Sequence, residues 1–192
     1  MPEPMSKTLK IRLQNEYNRF LEVPKTRLYD WKAAPGETVP YVKNYIITYH
    51  IRTLVQNKDG GLEWQNETTV KISKASIREP WAVVVTEGKV PYHPNWWPHG
   101  SVCRGNGMDN PEMWLYEAVN FVGRLLQFQP DVINPNSPAN VDANNYWLKH
   151  KNDKDASGKR IFPTDSTVFP LPGSKGETLK PKITIKKVTH SS

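Results

Sequence analysis

Cysteine is almost missing from this chain. Cys103 is the only one in 192 residues, which excludes an intrachain disulfide and any cysteine-rich zinc module and leaves one lone thiol. No apolar run approaches the roughly 18 residues of a membrane span. Met1 to Lys10 lacks the apolar core of a secretory signal, which points to the cytoplasm. No internal repeat is present. Excess positive charge is missing from most of the sequence too. The formal net charge is +7, yet from Lys149 onward ten basic residues face four acidic ones, whereas residues 1–148 carry 16 against 15. A near-neutral body is not a dedicated nucleic-acid domain, whose charge lines a folded surface. The basicity belongs to a Pro-rich extension, 151–192, whose expected state is a solvated tail.

Core-forming material is plentiful. Apolar residues make up 37% and aromatic residues 10%, with 7 Trp and 8 Tyr, so the chain can bury a core. The length fits one domain, 1–150, plus the extension.

Leu9, Leu13, Tyr17 and Phe20 or Leu21 recur at helical spacing behind Ser6, a capping residue, and Pro24 stops the run. The spacing predicts a helix over 7–21 with Lys7, Lys10, Arg12 and Arg19 facing solvent. The period then changes to two. Strands are expected at 27–31, 45–55, 62–73 and 81–86, with a glycine turn at 57–61, giving an antiparallel meander and an α+β class. Residues 92–111 lose periodicity, and a loop this long in a compact domain is usually functional. A helix expected from Asn110 and Pro111 through Phe128 is apolar on nearly every side and so buried. A short helical stretch, 139–149, follows, then polar linker from Lys151 and one strand-like run at 183–188.

The lone thiol closes the segment His93-Pro94-Asn95-Trp96-Trp97-Pro98-His99-Gly100-Ser101-Val102-Cys103. Cys103 has three readings: a small buried hydrophobe, a metal ligand with His93 and His99, or a nucleophile. Ligand spacings of six and four do not make a compact zinc pattern.

His-Pro-Asn, then Pro98, Gly100 and Val102, then the cysteine eight positions after the Asn, resembles the active-site stretch of ubiquitin-conjugating enzymes. The element order over residues 6–150 resembles that family as well: N-terminal helix, four-stranded antiparallel meander, active-site loop, buried central helix and C-terminal helical stretch. Leu125-Leu126, Pro130 and Ser137-Pro138-Ala139-Asn140 are similar to the segment that carries the family's gate residue, which puts Ser137 there, with Asp131 and Asn136 as rivals. The resemblance implies an acyl carrier in which Cys103 takes a ubiquitin-like protein from an activating enzyme and passes it to a target lysine, with no cofactor. Asn95 is then a donor to the acyl oxygen or a brace for the loop, and His93 chiefly fixes the loop. Lys7, Lys10 and Arg12 resemble the surface offered to the activating enzyme. The family's usual ligase-docking turn is replaced by Arg78-Glu79-Pro80-Trp81-Ala82-Val83, so a ligase partner is not implied. With the Pro-rich tail, this divergence resembles prokaryotic relatives from ubiquitin-like conjugation operons, several tied to antiphage defence. The alternative is a non-catalytic interaction module of the same fold, which normally lacks the cysteine.

Overall fold

The computed structural model describes residues 5–104 and 107–162; the strand-like run at 183–188 lies outside them. Helix α1 spans Lys7–Leu21, and Ser6 Oγ caps it by accepting from the Leu9 amide at 3.2 Å. Leu9, Leu13 and Phe20 are buried, whereas Leu21 is exposed. Glu16 joins them at 1% exposure, where burial raises its pKa against the opposing pull of the Leu115 amide and Arg12. The expected basic face is only partly free. Lys7 and Lys10 are exposed, but Arg12 is turned inward. Its guanidinium donates to Glu16 at 2.7 Å and to the carbonyls of Glu112 and Met113 at 3.0 and 3.1 Å, and stacks on Trp114. Arg12 leaves the solvent-facing set because a buried carboxylate and two carbonyls claim it.

Strands β1 (Tyr29–Ala33), β2 (Asn44–Tyr49), β5 (Thr68–Ser73) and β6 (Ala82–Glu87) form one antiparallel sheet in the order β1-β2-β5-β6. Between β2 and β5 the chain makes a separate ribbon, β3 (Thr53–Gln56) with β4 (Leu62–Gln65). The expected continuous strands 45–55 and 62–73 are therefore each broken, at 50–52 and at 66–67. Both breaks fall at one level, since Tyr49 pairs with Thr68 and Thr53 with Gln65. The physical reason is a second apolar partner. Tyr45, Ile47 and Tyr49 pack into the main core, while Leu54 joins Phe128, Ile133, Trp147 and Phe162 in a smaller one. Period-two patterning shows which residues are buried, not which of two cores receives them.

Helix α2 spans Leu115–Leu126, later than Pro111 suggests. Asn110 Oδ1 does accept from Glu112, at 2.9 Å, but this closes only a turn. The helix is started by one tertiary and one local acceptor: Glu16 of α1 takes the Leu115 amide at 2.8 Å, and Glu117 in the helix's own first turn takes the Trp114 amide at 2.8 Å. Residues 111–113 are held outside it by donors from elsewhere. Lys74, 1% exposed, donates to the carbonyls of Pro111 and Glu79 at 2.6 and 2.7 Å, and the Trp81 indole donates to Met113 at 2.9 Å. As expected, α2 is buried on nearly all sides, and Tyr49 hydroxyl donates to its Val119 carbonyl at 2.6 Å.

After a single 3-10 turn, Pro130–Val132, helix α3 runs Val141–His150 with Asn140 as its cap. The chain then doubles back. Asp155 Oδ1 accepts from the amides of Ser157 and Lys159 at 2.8 and 3.1 Å, Lys154 bridges Arg160, and Phe162 is buried.

Candidate active site

The aperiodic stretch after Tyr92 is an ordered hairpin. Trp96 pairs with Val102, the Trp97 amide donates to Ser101 at 2.8 Å, and the Gly100 amide donates to Trp97 at 2.9 Å. Gly100 has φ of +100°, a conformation that costs glycine nothing. The returning limb attaches to the edge of β6, with Val85 donating to Gly100 at 2.9 Å and Val102 donating to Val83 at 3.1 Å. Trp96 is buried beneath the hairpin, its indole donating to the Gly100 carbonyl at 2.9 Å. The sequence pattern misses this because the pairing partners are an existing strand edge and an indole ring.

Cys103 follows the limb as a free, partly exposed thiol. Its amide donates to the Asn95 carbonyl at 2.8 Å, so thiol and His-Pro-Asn turn are one unit. His93 is fully buried, and its Nδ1 accepts from the Asn95 amide at 2.9 Å. That bond fixes the neutral tautomer with the proton on Nε2. Burial pushes the His93 pKa down to about 3, with the Leu125 carbonyl pulling weakly the other way; Nε2 has no partner of good geometry. A neutral, enclosed imidazole braces the turn and is no base for an incoming amine.

Asn95 is 3% exposed and ties the turn to the following loop. Nδ2 donates to the Val132 carbonyl and Oδ1 accepts from the Asn134 amide, both at 3.3 Å. Pro94 adds a third tie, its carbonyl accepting from Ala139 at 2.7 Å and Asn140 at 3.2 Å. Asn144 of α3 donates to the Pro135 carbonyl at 3.2 Å. These anchors leave Asn136 and Ser137 exposed on a short, stapled loop. Asp131, the other gate candidate, is paired with Arg124. Asn134 and Asn144, not singled out by the sequence, set this loop; an isolated Asn carries no signal until its partner is known.

The metal reading of Cys103 finds no geometry. His93 is engaged in the interior, and His99 stands at the exposed hairpin tip, stacked on Trp97 with ring centres 6.3 Å apart. Among the described residues no group of three His, Cys, Asp or Glu side chains is placed to hold a metal. Nor is any described helix long and apolar enough to cross a membrane.

No protein-family profile matches the chain, and no curated protein sequence matches it. Among solved structures it is similar to the Plasmodium vivax ubiquitin conjugating enzyme E2, with a TM-score of 0.44 and 19% identity, over 60% of this chain and 98% of that one. The chemistry proposed next rests on this chain's own residues.

Proposed function

We propose that the chain is a ubiquitin-conjugating-type acyl carrier. One observation carries the reading: the residue that bears the sole thiol donates its backbone amide to the carbonyl of Asn95, in a buried His-Pro-Asn turn. In the first step Cys103 sulfur, as thiolate, attacks the carbonyl carbon of an activating enzyme's thioester. The new C–S bond forms as the old one breaks, and the departing thiolate takes up the proton that Cys103 released. The exchange is nearly isoenergetic, so an accessible thiol suffices. In the second step a target amine attacks the same carbon. The C–N bond forms, the C–S bond breaks, and the amine's proton ends on the Cys103 sulfur.

Negative charge builds on the acyl oxygen in that second step, and an amide donor there lowers the barrier. Asn95 Nδ2 carries two N–H groups, and Val132 takes one. On this reading the other serves the acyl oxygen while the first keeps the 132–134 loop in place. Ser137 stands at the gate and orients the amine through its hydroxyl. Lys7 and Lys10 contact the activating enzyme. The altered ligase turn and the Pro-rich extension group the chain with prokaryotic conjugation systems working in the cytoplasm, several of them antiviral.

The test is charging with a candidate activating enzyme and ubiquitin-like protein from the same genome. A thiol-sensitive adduct that vanishes in C103A and becomes thiol-resistant in C103S or C103K supports the reading. Charging that survives C103A overturns it, because no other thiol exists.

A further inference from the structure

Among the described residues one non-glycine has positive φ: Phe128, at +54°. It ends α2, with its amide donating to Leu125 at 2.8 Å and the next amide, Gln129, reaching back to Arg124 at 3.1 Å. This is the position helices commonly give to glycine, and an L-residue there costs about 1 kcal/mol or more. Such strain persists where the surroundings enforce it, and it clusters at working sites. Here the surroundings are the small core of Leu54, Ile133 and Trp147 together with two rings in direct contact. Phe128 is 1% exposed, its ring centre 4.6 Å from the His93 imidazole and 4.9 Å from the Phe162 ring.

Phe162 also packs against Trp64 of β4, 5.7 Å between ring centres, and Tyr146 of α3 at 6.5 Å. It arrives there because residues 151–161 reverse direction. Ile161 donates to Asp153 at 3.0 Å and Asp155 to Lys159 at 2.8 Å, with Gly158 at φ +80° in the turn. A segment with linker composition thus ends by inserting an aromatic ring behind α2. The contacts form one line: Phe162, Phe128, His93, then the Asn95 amide on His93 Nδ1, then the Cys103 amide on the Asn95 carbonyl.

We propose that Phe162 is a positioning residue for Cys103: the start of the C-terminal extension, through residue 162, belongs to the catalytic unit and holds the His-Pro-Asn turn through the strained Phe128 wedge. Without Phe162 the wedge loses the ring packed against it. The helix end then relaxes toward an ordinary conformation, and the imidazole loses the wall that encloses it. The inference rests on the acyl-carrier reading for its consequence in catalysis, whereas the mechanical coupling stands by itself.

The test uses the full chain and two probes that need no partner protein. Hydrogen exchange of the Asn95 and Cys103 amides reports the two bonds directly, and iodoacetamide alkylation reports the single thiol. In F162A, well below its melting temperature, both amides should exchange about tenfold faster or more, through local opening. The alkylation rate should change by about threefold or more on the same ground. F162L, which restores apolar bulk, should return both to near the parent values. F128G removes the ring at no backbone cost; it should loosen the same two amides while leaving the end of α2 intact. L13A, fully buried in α1 and outside the small core that holds Phe128 and Phe162, is the control: it lowers stability without touching this line. Unchanged Asn95 and Cys103 exchange in F162A, or equal acceleration in L13A, overturns the proposal. If the coupling is found but no thioester forms with any partner, the acyl-carrier reading fails and the positioning role stands. A thioester with no coupling has the opposite meaning.

Discussion

The Cys103 amide donates to the Asn95 carbonyl at 2.8 Å, eight residues back along the chain. That bond closes the hairpin whose tip holds Gly100, and it makes the thiol's position depend on the His-Pro-Asn turn. The turn depends in turn on a buried neutral imidazole and on three ties to residues 132–140. On the acyl-carrier reading, reactivity is a matter of where the thiol is held, with His93 bracing the turn from the interior.

Replacing Asn95 separates its two roles. N95A loses the bonds to Val132 and Asn134, and leaving buried partners unmet costs about 1–3 kcal/mol. Discharge of a preformed thioester to free lysine should slow by about 10²-fold if the amide also serves the acyl oxygen. Charging should fall much less. N95D keeps the acceptor for Asn134 but sets a carboxylate against the Val132 carbonyl in a buried site, and should melt below N95A at pH 7. An N95D protein as stable as the parent would remove the bracing role.

The basic face of α1 can be tested cleanly at two positions only. K7E with K10E should slow single-turnover charging at low salt, and less so at high salt, with discharge to free lysine unchanged. R12E is a different experiment. It breaks the contacts with Glu16, Glu112 and Met113, so a lowered melting temperature is expected along with any loss of charging. A charging rate indifferent to K7E/K10E at low salt would move recognition elsewhere.

His50 stands where the long strands bend, with Nε2 2.9 Å from Asp30 and Nδ1 2.7 Å from Glu67. Its pKa is raised, first by the hydrogen bond to Asp30 and then by that to Glu67. A raised folded-state pKa means that this stabilisation is fully present below the ordinary histidine value near 6.5 and disappears as pH rises through the folded value. The carboxylates are exposed and screened, so the effect is less than about 1 kcal/mol. Melting temperatures should therefore decline slightly from about pH 6 to pH 8, and H50Q should flatten that decline. A parallel slope in both proteins would remove His50 as its source.

Lys74 is the test of how α2 is entered. Its ammonium is buried, its pKa is lowered chiefly by desolvation, and it donates to two carbonyls and lies over Trp81. K74A should cost about 2–4 kcal/mol, since it removes two hydrogen bonds to carbonyls and opens a cavity. K74M, which refills the volume but leaves the carbonyls unmet, should recover only part of this. Thermal or urea unfolding decides; a K74M protein as stable as the parent would show that packing over Trp81, not the two hydrogen bonds, is what matters.

Local patterning was enough for some of this molecule. Ser6 and the Leu9, Leu13, Phe20 spacing determine α1 to the residue, because a cap and an apolar face act within one helix. The alternation around Tyr45–Tyr49 and Val70–Ile72 determines the sheet's buried face, because a strand's period is local too. His93-Pro94-Asn95 and Cys103 stand out as a motif for the same reason: their spacing lies within one short stretch. What tertiary structure decided is every choice that needed a distant partner. A second core at Leu54 and Phe128 broke the long strands, and Glu16 on α1 set where α2 starts. Arg12 left the surface because Glu112 and Met113 lie a hundred residues away in sequence and in hydrogen-bond range in space. Phe128 takes a left-handed conformation that its residue type disfavours while its buried ring packs against both His93 and Phe162, and no local propensity records such distant contacts.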